Sequence, residues 1–311
     1  MPCYDAARSH SRHEDPLPMK TPQEQARLMR LASTAALAVA IGLALAKAVA
    51  WWLSGSVSLL AGLTDSLLDG AASLINLLAV HYSLRPADDD HRYGHGKAEA
   101  LAGLGQSVFI GVSALLVGVQ GIDRLLHPQP LHAQTLGIVV ILLSLAATAG
   151  LLQFQRRVVR ATGSTAIRAD SLHYRSDLLL NASILLALLL VNLGLGELDA
   201  LFGIGIAGYI LWSAAQIGHE AVTVLMDTEL PAQVRQRIAE LAGDVPDVMD
   251  VHDLRTRISG TRWFVQLHVR LPGEMSLTEA HRRTVAVERA IHAEFPRAEV
   301  LVHTDPPQDE D

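Results

Sequence analysis

Residues 63–76 read LTDSLLDGAASLIN, and the reading of this stretch decides what kind of chain this is. Asp65 and Asp69 stand four residues apart among apolar and small neighbours. Four residues is about one helical turn, so the two acids share a face, which Ser73 and Asn76 continue. The surrounding run from Val57 to Tyr82 is long and apolar enough to cross a bilayer. A charged side chain at mid-bilayer costs ~2.5–3.5 kcal/mol even on the gentler scales. Two of them on one face point to an ion path, in which the carboxylates hold a cation or protons. The plainer reading is a polar contact that packs two helices, and the remainder of the chain argues against it.

Composition agrees with a membrane protein. Of 311 residues, 50% are hydrophobic and only 18% charged, and the mean hydropathy is +0.27. The formal net charge is −7, and no basic cluster stands out, so a nucleic-acid partner is not expected. The single cysteine, Cys3, offers neither an intrachain disulfide nor a thiolate metal site. Residues 1–20 are polar and lack the apolar core of a signal peptide, and they read as a disordered cytoplasmic tail.

Six stretches qualify as spans: about 31–53, 57–83, 99–122, 134–155, 166–192 and 198–225. In the first, Lys47 lies close enough to the end for its stem to snorkel, and Trp51 and Trp52 suit a water interface. Basic residues set the orientation. Arg8, Arg12, Lys20, Arg27, Arg30, Arg85, Arg92, Lys97, Arg156, Arg157, Arg160 and Arg168 fall on one side, against Arg124 on the other. That bias places both termini in the cytoplasm and supports an even number of spans. The expected division is a disordered tail over 1–26, a six-helix transmembrane domain over 27–226, a cytoplasmic metal-binding domain over 227–307 and an acidic tail over 308–311.

Between the second and third spans the chain reads ADDDHRYGHGKAE from residue 87 to 99. Asp88, His91 and His95 converge on one ion if the backbone turns once, and Gly94 and Gly96 permit the turn. Nitrogen and oxygen donors suit Zn(II), Fe(II), Cd(II) or Mn(II). On composition alone a solvated charged loop is an equal reading. The string GHGK lacks the spacing of a phosphate-binding loop.

The fifth span carries RADSLHYRSDLLLN, residues 168–181. His173 and Asp177 are again four apart, and Asn181 extends their face. Opposed to Asp65 and Asp69, they supply four ligands, as a tetrahedral zinc-type site needs. Either pair alone is weak evidence, but each pair relieves the other's burial problem. In the sixth span HEAVT lacks the second histidine of HExxH, so no zinc-protease motif is present.

From about Thr228 the pattern changes to a helix over 231–243 and strands over 248–258 and 262–271. A helix from Ser276 to about Phe295 follows, opened by a Ser276–Glu279 capping box, and then a strand over 299–303. This αββαβ order gives a small two-layer domain. It holds five candidate ligands, His252, His268, His281, His303 and Asp305, placed near strand ends and a helix start.

Taken together, six spans, the DxxxD and HxxxD pairs, the DDDHRYGHGKAE loop and the histidine-bearing αββαβ tail resemble the cation diffusion facilitator family. The resemblance is nearest its bacterial zinc and ferrous-iron efflux branch and covers about residues 25–307. It implies a homodimeric, proton-coupled exporter of divalent metal in the bacterial inner membrane, with Zn2+, Cd2+ or Fe2+ as cargo and lipid and protons as its other partners. By motif, Asp65, Asp69, His173 and Asp177 resemble the transport site, and Asp88, His91 and His95 the loop site. His252, His268, His281, His303 and Asp305 resemble a cytoplasmic binuclear site bridged by Asp305. Lys97 and Asp227 resemble a charge pair that clamps the dimer. Two departures are Arg175, where a neutral polar residue is expected, and Thr304, where a longer polar side chain would brace the site.

The resemblance thus implies a secondary transporter rather than an enzyme. A membrane-anchored metal sensor or scaffold is the alternative, but it gives no reason for acids inside helices. An intramembrane metal hydrolase would need a further base and an open coordination position.

Overall fold

A computed structural model describes residues 21–55, 57–126, 135–191 and 198–307. The expected disordered tail over 1–20 and the acidic tail over 308–311 lie outside the described residues. Among the described residues six long helices come first: α1 (Pro22–Ser54), α2 (Val57–Ser83), α3 (Lys97–Leu126), α4 (Thr135–Thr162), α5 (Thr165–Val191) and α6 (Leu198–Leu225). A tail domain follows, with α7 (Ala232–Gly243), β1 (Asp250–Ser259), β2 (Arg262–Arg270), α8 (Leu277–Glu294) and β3 (Ala298–Asp305). By length and composition α1, α2, α3, α4 and α6 are able to cross a membrane. The remaining long helix, α5, carries Arg168, Asp170, His173, Arg175 and Asp177.

Helix α1 already begins at Pro22, inside the stretch expected to be tail. The reason is local. Thr21 accepts a hydrogen bond from the Glu24 N–H at 3.3 Å, and the Glu24 carboxylate accepts one from the Thr21 N–H at 3.0 Å. This capping box, with Pro22 opening the first turn, starts the helix where the chain turns apolar. Gly55, at φ 64°, ends it in the left-handed conformation that glycine adopts without a steric penalty.

Helix α5 packs against every other membrane helix. Small residues allow the closest approaches. A Cβ added at Gly218 of α6 would lie 2.9 Å from Ser107 Oγ of α3, so a side chain there would push that hydroxyl from its bond to the Leu104 carbonyl. At the end of the bundle near the tail domain, Met29, Ala32, Val80, Val158, Ala166 and Ile167 form one buried cluster.

Lys47 does not run out to the surface as its place near the helix end suggests. Its Nζ donates to Ser66 Oγ of α2 at 2.7 Å, which keeps the ammonium against the bundle.

In the tail domain β1 and β2 form an antiparallel hairpin turned by Gly260 at φ 59°, and β3 adds parallel to β2 after the α8 crossover. Val265, Leu267 and Val269 of β2 face Ile238 and Ala242 of α7 and Val287 and Ile291 of α8. Each aliphatic side chain fully buried this way contributes about 1.5–3 kcal/mol. The register of β1 shifts between His252 and Arg255, where Asp253 has φ 48°. The strand itself stays continuous, and the bulge shifts only its pairing with β2.

Candidate metal sites and their supports

In α2 and α5 the structure brings together Asp69, His173 and Asp177, with one ligand atom of each within 4.8 Å of the others. His173 Nε2 lies 3.1 Å from Asp69 Oδ1 and 3.8 Å from Asp177 Oδ2. That nitrogen is buried, yet it is aligned with neither carboxylate for a hydrogen bond. A buried imidazole nitrogen set among acids without a matched donor or acceptor suits a metal ligand. Asp65 stands one turn away, outside this group and exposed, on the same face. Asn181 bonds backward to the Asp177 carbonyl at 2.8 Å.

Ser73, read on the face of the two acids, and several residues that the sequence reading passed over support this group. The Tyr174 hydroxyl donates to the Ala36 carbonyl at 2.9 Å. Its one hydrogen is thereby used, so Ser73 Oγ, 2.7 Å away, donates to the tyrosine oxygen. This contact joins α1, α2 and α5 one turn closer to the tail domain than Asp69. Deeper still, the fully buried Asp170 carboxylate accepts from Gln155 Nε2 at 2.6 Å and Gln106 Nε2 at 3.3 Å, tying α5 to α4 and α3. Glu99 of α3, also buried, accepts from the Ala166 N–H at 3.4 Å, with further bonds from Ser164 and Thr165. It caps the N-terminus of α5, where a carboxylate faces unpaired N–H groups and the positive end of the helix dipole. Asp170 precedes His173 by three residues, close to one helical turn, so it lies on the same side of α5. The capping by Glu99 is non-local and leaves no sequence signal.

The site is therefore closed toward the tail domain. Ser73, Asn76, Tyr174, Asp170 and Glu99 are buried below it, whereas Asp69 and Asp177 are partly exposed.

In the loop the structure brings Asp88, His91 and His95 together. Asp88 Oδ1 lies 3.2 Å from His91 Nδ1, and Oδ2 lies 3.3 Å from His95 Nε2. Gly94, at φ 77°, makes the turn. The Asp88 carboxyl is held below its ordinary value, first by the His91 backbone N–H that donates to it at 2.7 Å, and then by the two imidazoles. Gly96 is required for another reason. A Cβ there would sit 2.5 Å from the Ser259 carbonyl, because the loop lies directly on the β1–β2 turn. Arg257 stacks over Tyr93 at 4.4 Å beside it.

Lys97 Nζ donates to Asp227 Oδ2 at 2.9 Å and to the Leu225 carbonyl at 3.3 Å. Within one chain this pair joins the start of α3 to the segment after α6. Burial would raise the Asp227 carboxyl, but the hydrogen bond and charge of Lys97, with Arg257 at 3.5 Å, outweigh it and hold the group below its ordinary value.

In the tail domain the strand register explains the spacing of the candidate ligands. His252 pairs with His268, and His268 with His303, so three imidazoles cross β1, β2 and β3 in one row. Asp305, two residues beyond His303, shares that face. Its Oδ2 meets His268 Nδ1 at 2.9 Å and His252 Nε2 at 3.2 Å, and its Oδ1 meets His303 Nε2 at 3.3 Å. The His268 hydrogen bond is the largest influence holding this carboxyl below its ordinary value. Asp250 adds an unexpected carboxylate 3.1 Å from His252 Nδ1. His281, on an exposed face of α8, stays outside this group.

Comparison with known proteins now decides the family. Residues 33–226 match the cation efflux transmembrane domain, and residues 230–307 match the cation efflux protein cytoplasmic domain. The chain belongs to the cation efflux, or cation diffusion facilitator, family. It is 50% identical over 281 residues to the cation-efflux pump FieF of Pectobacterium carotovorum, covering 90% of this chain and 94% of that protein. It is also 50% identical over 284 residues to the FieF pump of Klebsiella pneumoniae, covering 91% and 95%. Among solved structures, CzrB in its Zn form is 32% identical, covering 28% of this chain and 99% of that one, with a TM-score of 0.26. The membrane helices with a small α/β tail domain, expected from the sequence, are thus the architecture of a cation efflux transporter.

Proposed function

We propose that the protein exports a divalent metal ion, Zn2+ foremost and also Cd2+ or Fe2+, from the cytoplasm across the bacterial inner membrane in exchange for protons. Asp65, Asp69, His173 and Asp177 form the transport site. The observation that carries this reading is the buried His173 Nε2 set between Asp69 and Asp177 with no aligned hydrogen-bond partner. The similarity to FieF pumps supports the direction of transport.

Only deprotonated imidazole and carboxylate groups are metal ligands, so ion binding releases protons and protons displace the ion. Facing the cytoplasm, the site takes up one ion, and Asp65 completes the set by a small movement along its face. Rocking of the helices then exposes the site to the opposite side. Protons there compete the ion off, and the protonated site returns. The arrangement closed below Ser73 and Tyr174 corresponds to the state shut on the cytoplasmic side.

The row His252, His268 and His303, with Asp305 able to bridge, fits a binuclear metal site that stiffens the tail domain within a homodimer when cytoplasmic metal rises. Its nitrogen and oxygen donors suit zinc-type ions. The Lys97–Asp227 clamp passes that stiffening to α3 and α6. Both termini lie in the cytoplasm in this reading.

Uptake of metal into proteoliposomes under an imposed pH gradient tests it. Expected is uptake that collapses with the gradient and is abolished in Asp69→Ala. Uptake indifferent to the gradient would remove the coupling, and uptake that persists in Asp69→Ala would remove the site.

A further inference from the structure

We propose that Lys47 is a fixed counter-charge of the transport site, tuning how tightly the ion is held and neutralising the loaded site for its passage. The inference rests on the reading of Asp65, Asp69, His173 and Asp177 as that site.

Lys47 stands on α1 amid Ala44, Ala46, Ala48 and Ala50, where nothing local calls for a cation. Its Nζ donates at 2.7 Å to Ser66 Oγ, a hydroxyl almost wholly buried between Asp65 and Leu67 of α2. Its stem lies along Gly62, whose added Cβ would meet Cδ at 3.8 Å and Cε and Nζ at 4.0 Å. The side chain is thus laid against α2 toward the ligands. Ser66 adjoins Asp65 and precedes Asp69 by three residues, so the ammonium reaches the acid-bearing stretch of α2 from the α1 side. The hydrogen-bond partner is a neutral hydroxyl, which leaves the positive charge free to act on the carboxylates.

An ammonium has three donors and no lone pair, so Lys47 cannot ligate the ion. It acts through charge alone. With His173 neutral as a ligand, the three carboxylates and one divalent ion leave a single negative charge. Lys47 cancels it. A net charge is costly in a low-dielectric interior, so a neutral loaded site is the form best suited to being occluded. The same positive charge repels the ion and keeps it from binding too tightly to be released.

The test is initial-rate Zn2+ uptake by reconstituted full-length protein at a fixed pH gradient. Lys47→Met removes the charge, Lys47→Gln removes the charge while retaining a donor for Ser66, and Lys47→Arg retains both. Expected for Met and Gln is a KM lowered on the order of tenfold, with a fall in kcat on the order of tenfold. Turnover should also become sensitive to an imposed membrane potential, and Arg should restore all three. A lysine that only packs the helices would lower kcat without lowering KM and would give no response to potential. That pattern, or parental kinetics in both Met and Gln, overturns the proposal. Asp177→Ala run in parallel separates the two failures. If Asp177→Ala transports normally, the site assignment itself falls. If it is dead while Lys47→Gln is unchanged, only the role of Lys47 falls.

Discussion

Replacing Tyr174 with Phe should loosen the seal beneath the proposed transport site by an amount the structure allows to be bounded. The substitution deletes one oxygen and leaves the ring in its cluster with Ala36, Leu151 and Leu152. Two hydrogen bonds are lost, one from the hydroxyl to the Ala36 carbonyl at 2.9 Å and one with Ser73 Oγ at 2.7 Å. Ala36 lies inside α1, so its carbonyl keeps a helical partner. Ser73 is wholly buried and loses its acceptor. Leaving one buried hydroxyl unpaired costs about 1–3 kcal/mol. Serine in a helix recovers part of that by turning back to the carbonyl four residues earlier, so the low end, about 1–1.5 kcal/mol, is expected. That is roughly a five- to tenfold shift in the balance between states closed and open on the tail-domain side. In detergent the melting temperature should fall by about 2–6 °C. A double-mutant cycle with Ser73→Ala isolates the contact, and a coupling of at least about 0.5 kcal/mol is expected. Additive effects of the two substitutions, or an unchanged melting temperature in Tyr174→Phe, would refute the three-helix seal.

Other expectations follow from single contacts. Gly96→Ala forces a Cβ to 2.5 Å from the Ser259 carbonyl. The loop and hairpin must part, and limited proteolysis between the membrane and tail domains should accelerate while the tail domain itself stays folded. Asp305→Asn leaves the three imidazoles in register but weakens the charged bridge. Metal binding to the tail domain should fall by about ten- to a hundredfold, read by titration of the full chain, with Zn2+ uptake at saturating metal retained. The Lys97–Asp227 clamp has a defined pH window. Because the folded-state carboxyl is held below its ordinary 3.8, its stabilisation is complete above that value and is lost as pH falls through the lower, folded-state value. Asp227→Asn should therefore lower the melting temperature at pH 7, and the difference from the parent should vanish in strong acid. A difference that disappeared between pH 8 and 6 would assign it to another group.

What could be read from the sequence divides along physical lines. Apolar length and helical spacing exposed the membrane helices and the pairs at 65/69 and 173/177, because both signals are local. The loop group was also local, since Asp88, His91 and His95 lie within one turn of chain. The tail ligands were harder. His252, His268 and His303 become neighbours only through strand register, and nothing in their spacing separated them from His281, which lies off to one side on α8. Contacts between distant segments left no trace. Glu99 capping α5, Asp170 held by Gln106 and Gln155, and Gly96 pressed against Ser259 depend on how the helices pack. Lys47 was visible but misjudged, since nearness to a helix end says nothing about which face the side chain occupies. The early start of α1 was legible in Thr21, Pro22 and Glu24 and was outweighed by the polar composition around them.

X-ray absorption at the zinc edge offers the most direct test of the central claim, that Asp69, His173 and Asp177 grasp the transported ion. The sample would be full-length protein with His91, His95, His252, His268, His281 and His303 changed to Ala, so that the loop and tail groups lose their imidazoles, loaded with one equivalent of zinc. The account predicts a single bound zinc ion with one imidazole nitrogen and otherwise oxygen donors, lost on adding Asp177→Ala. A zinc shell without imidazole, or one unaltered by Asp177→Ala, would contradict it.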